Sequence, residues 1–248
     1  MRRSLSCLIL TILLGISYSQ GGEPKKISFD QSFAGTISTR VYQDQSQNGQ
    51  PESSKPSLYI QGSTSGLYSL LTDWKNQNLQ TDGSSPSTKS FVFGAECGFV
   101  INKYIQVGFG YEYFFTTKVA TLQATGDQIN STFFYATVKV ELPLESISEL
   151  SLFIDLDIGS ITATEVLENY GGLDFNRAGS TTGYRTMLGA QYFLIDNWSI
   201  MAGGGYLFGK VTQVNATGQA IVGHVWPNYS LDLSGFMVKF AVNYHIPL

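Results

Sequence analysis

The sequence has 248 residues, of which 13% are aromatic and only 14% are charged, and it contains 26 glycines and 7 prolines. This mixture is typical of many aromatic strands punctuated by glycine and disfavours a helical bundle. The formal net charge of −4 argues against a basic surface, so no nucleic-acid partner is expected.

The first residues have the three parts of a bacterial export signal. Arginines occupy positions 2 and 3, residues 8–16 are apolar, and residues 17–19 (Ser-Tyr-Ser) form a small-residue cleavage site. The apolar stretch is far shorter than the about 20 residues that a membrane-spanning helix needs. The sequence therefore predicts a signal peptide over residues 1–19, and residues 20–248 remain as one mature domain.

The first third of the mature sequence has the weakest strand pattern. Apolar residues of one parity predict a first strand at residues 27–41, and residues 42–90 are then a long first external loop. Within this loop, apolar residues at helical spacing from Leu67 through Leu70 and Leu71 to Trp74 predict an amphipathic helix. Alternatively, residues 58–62 and their neighbours form an extra hairpin, which raises the strand count from eight to ten.

From residue 90 onwards, apolar residues recur at every second position in segments about as long as a tilted membrane strand. In residues 150–159, leucine and isoleucine alternate with Ser, Phe, Asp and Gly. Seven such strands begin near Phe91, Ile105, Phe133, Leu150, Tyr184, Trp198 and Gly235. With the strand at 27–41, short turns follow strands two, four and six, which is typical of periplasmic turns. The predicted fold class is an all-β, transmembrane, antiparallel up-and-down barrel of eight strands.

Every charged residue in the central part of the seven clear strands lies on the parity opposite to the apolar face. These residues are Glu96, Glu112, Lys139, Glu141, Asp155, Asp157, Arg185 and Lys239. Because a charge that faces hydrocarbon costs up to a few kcal/mol, this segregation predicts a lipid-facing apolar surface and a charge network in the lumen. Aromatic residues near the strand ends and glycines on the charged face favour this interpretation over a soluble barrel or sandwich.

Two hairpins rich in glycine and aromatic residues, 93–113 and 183–209, resemble those of small bacterial outer-membrane barrels such as the OmpA transmembrane domain, OmpX and OmpW-like porins. Residues 235–244 are similar to the C-terminal signal that such proteins offer to the barrel-assembly machinery. The family usually ends on an aromatic residue, whereas this sequence ends on Leu248. The resemblance implies export to the outer membrane of a Gram-negative bacterium and contact with outer-membrane lipid and lipopolysaccharide.

No pattern in the sequence predicts catalytic, cofactor-binding or metal-binding residues. The mature chain has one cysteine, Cys97, and its two histidines form no ligand cluster with it. His224 falls in a predicted external loop and His245 at the periplasmic end, and neither has the neighbouring serine and carboxylate that a barrel hydrolase requires. The protein is therefore predicted not to be an enzyme.

Three functions are compatible with this architecture. The favoured one is a structural or surface-binding role through the external loops, with an unspecified extracellular ligand. Those loops are predicted at residues 42–90, 120–130, 166–182 and 213–229. A narrow pore for small or apolar molecules, as OmpW-like proteins imply, is the alternative. A lipid A-modifying barrel enzyme is the second alternative.

Overall fold

A computed structural model describes residues 56–122, 124–170, 172–195, 197–212, 215–217 and 230–248. The elements are β1 (Ser57–Ser69), α1 (Thr72–Gln77), β2 (Lys89–Asn102), β3 (Ile105–Thr116), β4 (Gly126–Leu144), β5 (Ile147–Tyr170), β6 (Leu173–Ile195), β7 (Trp198–Phe208), β8 (Lys210–Val211), β9 (Asn215–Thr217), β10 (Leu231–Asp232) and β11 (Gly235–Pro247). Within these ranges no helix has the length and apolar character needed to cross a membrane.

Eight long strands form a closed antiparallel ring. Strands β1 to β7 follow one another around the ring, and β11 lies between β7 and β1. The short strands β8 and β10 pair with each other, and β9 pairs with the far end of β6. The predicted eight-stranded up-and-down barrel is thus confirmed.

The predicted position of the first strand is wrong. The strand that closes the ring is Ser57–Ser69, which pairs with both β2 and β11 and lies inside the segment predicted as a loop at 42–90. The segment 27–41 lies outside the described residues, and the ring is complete without it. Residues 58–62 contribute to one strand of the eight, so the ten-stranded alternative is wrong as well. The outward positions 62, 64 and 66 are Gly, Thr and Gly, which hides the alternation that marks the other strands.

The predicted helix begins too early in the sequence. Leu67 belongs to β1, and α1 starts only at Thr72, after Leu71 has adopted a left-handed backbone conformation with a φ of 39°. Leu70 is exposed, whereas Leu71 and Trp74 are fully buried. The apolar residues therefore come from the end of a strand, a bend and one short helix.

Strands β4, β5 and β6 are much longer than a membrane requires. They have 19, 24 and 23 residues, whereas a tilted membrane strand needs about 9–11. The segment predicted as an external loop at 166–182 is accordingly mostly strand, because β5 ends only at Tyr170 and β6 begins at Leu173. Residues 126–130 of the loop predicted at 120–130 also belong to a strand, β4. The strands continue because inward residues such as Ile161, Ala163 and Leu167 remain buried beyond the lipid-facing zone.

The outer surface of the ring carries a belt of exposed apolar side chains. On β5 the belt consists of every second residue from Leu150 to Ile158. Its upper edge on β4, β5 and β6 is marked by Phe134, Ile158 and Tyr184, each more than half exposed. The next outward side chains above these residues, such as Thr132, Ser160 and Thr182, are polar, so we place the membrane-spanning segments below that row.

The short turns 103–104 and 145–146 lie at one end of the barrel, and α1 and the long strands lie at the other. We use the term wall for the part of β4, β5 and β6 that lies above the belt, which comprises residues 126–132, 160–170 and 173–182. The end of the barrel that α1 covers is called the mouth.

Candidate functional site

Glycines on the inner face provide space for large aromatic side chains in the lumen. A Cβ atom at Gly110 would lie 2.2 Å from the ring of Tyr135, and one at Gly108 would lie 2.4 Å from the hydroxyl oxygen of Tyr59. Because glycine leaves this space open, both rings lie against the inner surface of the barrel. Their hydroxyl groups then reach the middle of the lumen.

Glu96 lies at the centre of the lumen and is contacted from several strands. The hydroxyl groups of Tyr59 and Tyr135 donate hydrogen bonds to its two carboxylate oxygens, at 2.9 and 3.0 Å. The ammonium groups of Lys139 and Lys239 lie 3.7 and 3.8 Å from the same carboxylate. A buried carboxylate persists as an ion only with such partners.

Arg185, on β6, links two other strands of the lumen network. Its guanidinium pairs with Glu112 on β3 and with Asp157 on β5. The same guanidinium lies 4.6 Å from the centre of the Tyr135 ring. Lys239 approaches Glu112 at 3.1 Å, so this carboxylate has two cationic partners. The planar fork of arginine suits two carboxylates at once.

The remaining two acidic residues of the lumen are held by neutral groups. The Thr137 hydroxyl donates to Asp155 at 2.6 Å, and the Gln106 amide donates to Glu141. Both acids are buried. Among the described residues, the predicted network thus places five acids and three bases in the lumen.

A layer of apolar side chains covers the charge network on the side of the mouth. Its buried members include Leu67, Val92, Phe114, Ile129, Phe133, Ile161, Met187, Leu207, Val211, Leu231 and Leu233. The gap between Leu67, Phe114 and Ile161 is too small to hold a water molecule. Across the described residues, this layer separates the charged lumen from the mouth.

Three charged side chains are buried together above the apolar layer, on the inner face of the wall. They are Asp127 on β4, Glu165 on β5 and Arg177 on β6, and Arg177 forms an ion pair with Glu165. The indole N–H of Trp74 donates to Asp127 at 3.0 Å, and the Asn78 amide donates to Glu165 at 3.4 Å. These five residues are called the mouth cluster below.

The two carboxyl groups of the mouth cluster hold protons more tightly than usual. Burial raises the pKa of Asp127 to about 8, and the neighbouring Glu165 carboxyl adds to this effect. Burial raises the pKa of Glu165 to about 7, although Arg177 opposes the shift. Burial thus favours the protonated, neutral form of each carboxyl.

The outer face of the wall is polar and largely uncharged. Thr132, Thr162 and Ser180 lie side by side in register on the three strands. In the next row towards the belt, Ser160 and Thr182 are neighbours, and both are exposed. The wall thus presents a surface of hydroxyl groups above the membrane.

All eight residues predicted for the lumen network are buried inside the barrel. Six of them form one chain of ion pairs, in the order Lys139, Glu96, Lys239, Glu112, Arg185 and Asp157. Glu141 and Asp155 lie beside this chain. Sequence analysis missed Tyr59, because its strand was assigned to a loop, and it missed the mouth cluster. The inward parity of Asp127 and Glu165, which continues that of the strands below, was the available signal.

The closed ring, the apolar belt and the charged interior define an eight-stranded transmembrane β-barrel. No protein-family model matches the sequence, and no curated protein matches it either. Among solved structures, the chain is similar to the outer membrane protein OprG from Pseudomonas aeruginosa, with a TM-score of 0.50, 11% identity, and coverage of 79% of this chain and 98% of that one. It is also similar to Neisserial surface protein A (TM-score 0.49, 15% identity, 75% and 96% covered). The predicted resemblance to small outer-membrane barrels is confirmed at the level of the fold.

Proposed function

We propose that the protein is an outer-membrane surface protein that binds an extracellular partner through its wall, while the sealed barrel anchors it in the membrane. The observation that supports this role is the continuation of β4, β5 and β6 well past the apolar belt. A barrel that served only to span the membrane would need no such extension. Surface elements positioned by a rigid scaffold are the usual place for binding.

The internal packing of the wall supports a binding role. Its inner face is covered by α1 and closed by the mouth cluster, so the three strands are held in one position above the membrane. A partner that meets a preformed surface loses less binding energy to ordering. The exposed hydroxyl rows around Thr162 favour a partner that forms hydrogen bonds and does not require charge pairing.

The packed lumen disfavours the pore alternative. Ions would have to pass both the apolar layer and a chain of ion pairs in which Arg185 and Lys239 are fully buried. In an eight-stranded barrel, side chains are sufficient to fill the interior. Among the described residues, the contact between a serine and a histidine is that of Ser199 with His245 at 3.4 Å. It lies at the short-turn end, so it does not support the lipid A-modifying alternative; His224 lies outside the described residues.

A variant with a shortened wall tests the proposal. Thr162 and Ser180 face each other in the β5–β6 ladder, so residues 163–179 can be replaced by a two-residue Asn-Gly turn. Cells that display either form are incubated with immobilised extracellular-matrix proteins and glycans. The shortened form should lose binding by about tenfold or more. Its unheated form should still migrate differently from the boiled form in detergent gels, as a control for folding.

Equal binding by both forms would contradict a role for the wall. A large and stable conductance of the full chain in planar bilayers would favour the pore alternative instead. These two measurements are independent, because removal of the wall above the belt leaves the lumen network around Glu96 in place.

A further inference from the structure

Two adjoining rows of uncharged polar side chains cross the outer face of the wall. Thr132, Thr162 and Ser180 form the row nearer the belt, and Asn130 and Thr164 form the row above it. Thr162 and Ser180 are exposed, and the other three residues are partly exposed. We use the term polar face for these five residues. Because neighbouring strands lie about 4.8 Å apart and same-face residues of a strand about 7 Å apart, they form a regular grid.

The hydrogen-bonding groups of the polar face are available to a ligand. Within the described residues, none of its four hydroxyl groups has a hydrogen-bond partner. Elsewhere in the barrel, hydroxyl groups are used internally, as in Thr137, which donates to Asp155. A hydroxyl group donates one hydrogen bond and accepts up to two, so each can bond with a ligand in both directions.

The surroundings of the polar face are uncharged as well. The row towards the belt contains Ser160 and Thr182, which are exposed. Going upwards on the outer side of β5, the first charged residue is Glu168, and it already pairs with Lys118. A sulfated or phosphorylated ligand would therefore find no unpaired cation among the described residues of this surface, although such ligands are bound through lysine and arginine.

A protein partner would find no anchor on the polar face. The residues that contribute most to protein–protein affinity are tryptophan, tyrosine and arginine, usually in well-packed pockets. The polar face contains none of these. The exposed aromatic residues Phe134 and Tyr184 lie lower, at the upper edge of the belt, where aromatic side chains contact the membrane interface.

We propose that the extracellular partner of the wall is an uncharged polysaccharide, which exchanges hydrogen bonds with the polar face. This inference rests on the proposed function and specifies the chemical class of the partner. The hydroxyl groups of a sugar both donate and accept, as those of threonine and serine do. Neither surface brings an ion that must lose its water, so contact has a low desolvation cost. The methyl groups of the threonines can pack against the C–H groups of a sugar ring.

The repetition of the polar face suits a ligand that is itself a chain of repeating units. A single hydrogen bond to a sugar contributes little in water, but successive units of one chain can bind neighbouring positions of the grid. The ladders between β4, β5 and β6 hold these positions in register before the ligand arrives. The shortened form described above lacks Thr164 and with it the upper row, so it should also lose this binding.

Binding to matched pairs of polysaccharides tests the inference. The full chain is folded into phospholipid nanodiscs, which contain no glycolipid, and is passed over immobilised dextran, mannan and galactan and over the sulfated form of each. At least one uncharged polysaccharide should bind more tightly than its sulfated form. Raising the salt concentration from about 0.05 M to about 0.5 M should change that affinity by less than about twofold, because no charge pairing is involved.

Three variants assign the binding to the polar face. Thr162→Val removes one hydroxyl group while it keeps a residue that favours strands, and it should weaken binding by about three- to tenfold. Adding Thr164→Val should bring the loss to about tenfold or more. Thr186→Val, the same change on the outer face of β6 within the belt, should have no effect. Migration of the unheated protein in detergent gels shows whether each variant has folded.

Binding of the full chain to none of the uncharged polysaccharides would overturn the inference. A preference for the sulfated forms that weakens steeply with salt would do so too, as would unchanged affinity in the folded double variant of Thr162 and Thr164. These results differ from a failure of the proposed function. If the shortened form loses binding to a matrix protein while no polysaccharide binds, the wall is a binding element with another kind of partner. Equal binding of every probe by the shortened and full forms would refute both.

Discussion

Replacement of Arg185 by methionine should be among the most damaging changes in the lumen. The guanidinium is buried and pairs with both Glu112 and Asp157. Loss of one partner from a buried ion pair typically costs about 3–5 kcal/mol, because the other charge stays buried without compensation. Glu112 keeps Lys239 at 3.1 Å, so most of the penalty should come from Asp157. The cation–π contact with Tyr135 at 4.6 Å adds to the loss.

The measurement is urea unfolding of the protein in lipid vesicles, followed by tryptophan fluorescence. Thr186→Met is the matched control, because it places the same side chain one residue away on the outer face of β6. It should change the free energy of unfolding by no more than about 0.5 kcal/mol. Equal losses for Arg185→Met and Thr186→Met would refute the network.

A double variant separates the pair from the packing around it. If Asp157 is left as an uncompensated charge in Arg185→Met, adding Asp157→Asn should recover about 1–3 kcal/mol of the lost stability. Additive losses in the double variant would show that the two side chains do not interact, contrary to the ion pair in the structure.

Three further predictions address the membrane face, the lumen and the orientation. Ile154→Arg, on the lipid-facing belt, should cost about 2–4 kcal/mol and Ser151→Arg in the lumen should cost less, and equal costs would reject the assignment of the faces. The wild-type protein should conduct ions poorly in planar bilayers, and Lys239→Met should raise the conductance by loosening the network; a large wild-type conductance would contradict a sealed lumen. Protease added to whole cells should cut the exposed residues 81–85 and spare the turn at 145–146, whereas the reverse pattern would invert the topology.

The local pattern of the sequence was sufficient to predict the class of fold and the side of the sheet on which each residue of seven strands lies. Successive side chains of a strand point to opposite faces, so the alternation in residues 150–158 directly predicts which residues face lipid and which face the lumen. The eight charged residues could be assigned to the interior for the same reason. No information about distant parts of the chain was needed for either prediction.

The prediction of strands from alternating apolar residues failed where a strand does not present an apolar face to lipid. In β1 the outward positions 62, 64 and 66 are small or polar, so the apolar face that Ile60 and Tyr68 begin is interrupted, and the strand is recognised through its pairing with β2 and β11. The wall lies above the belt, where outward residues such as Thr162 can be polar without cost. The amino-acid sequence of the wall strands therefore resembled that of external loops.

Only the tertiary structure decided which charges meet. Arg185 contacts Glu112, which is 73 residues away in the chain, and Trp74 reaches Asp127 across 53 residues. Parity determines the face of a residue but not its height in the barrel or its neighbours across the lumen, because these depend on strand register and on closure of the ring. The ion-pair chain and the mouth cluster arise from that closure, since it brings residues from separate strands into one confined interior where a charge without a partner is costly.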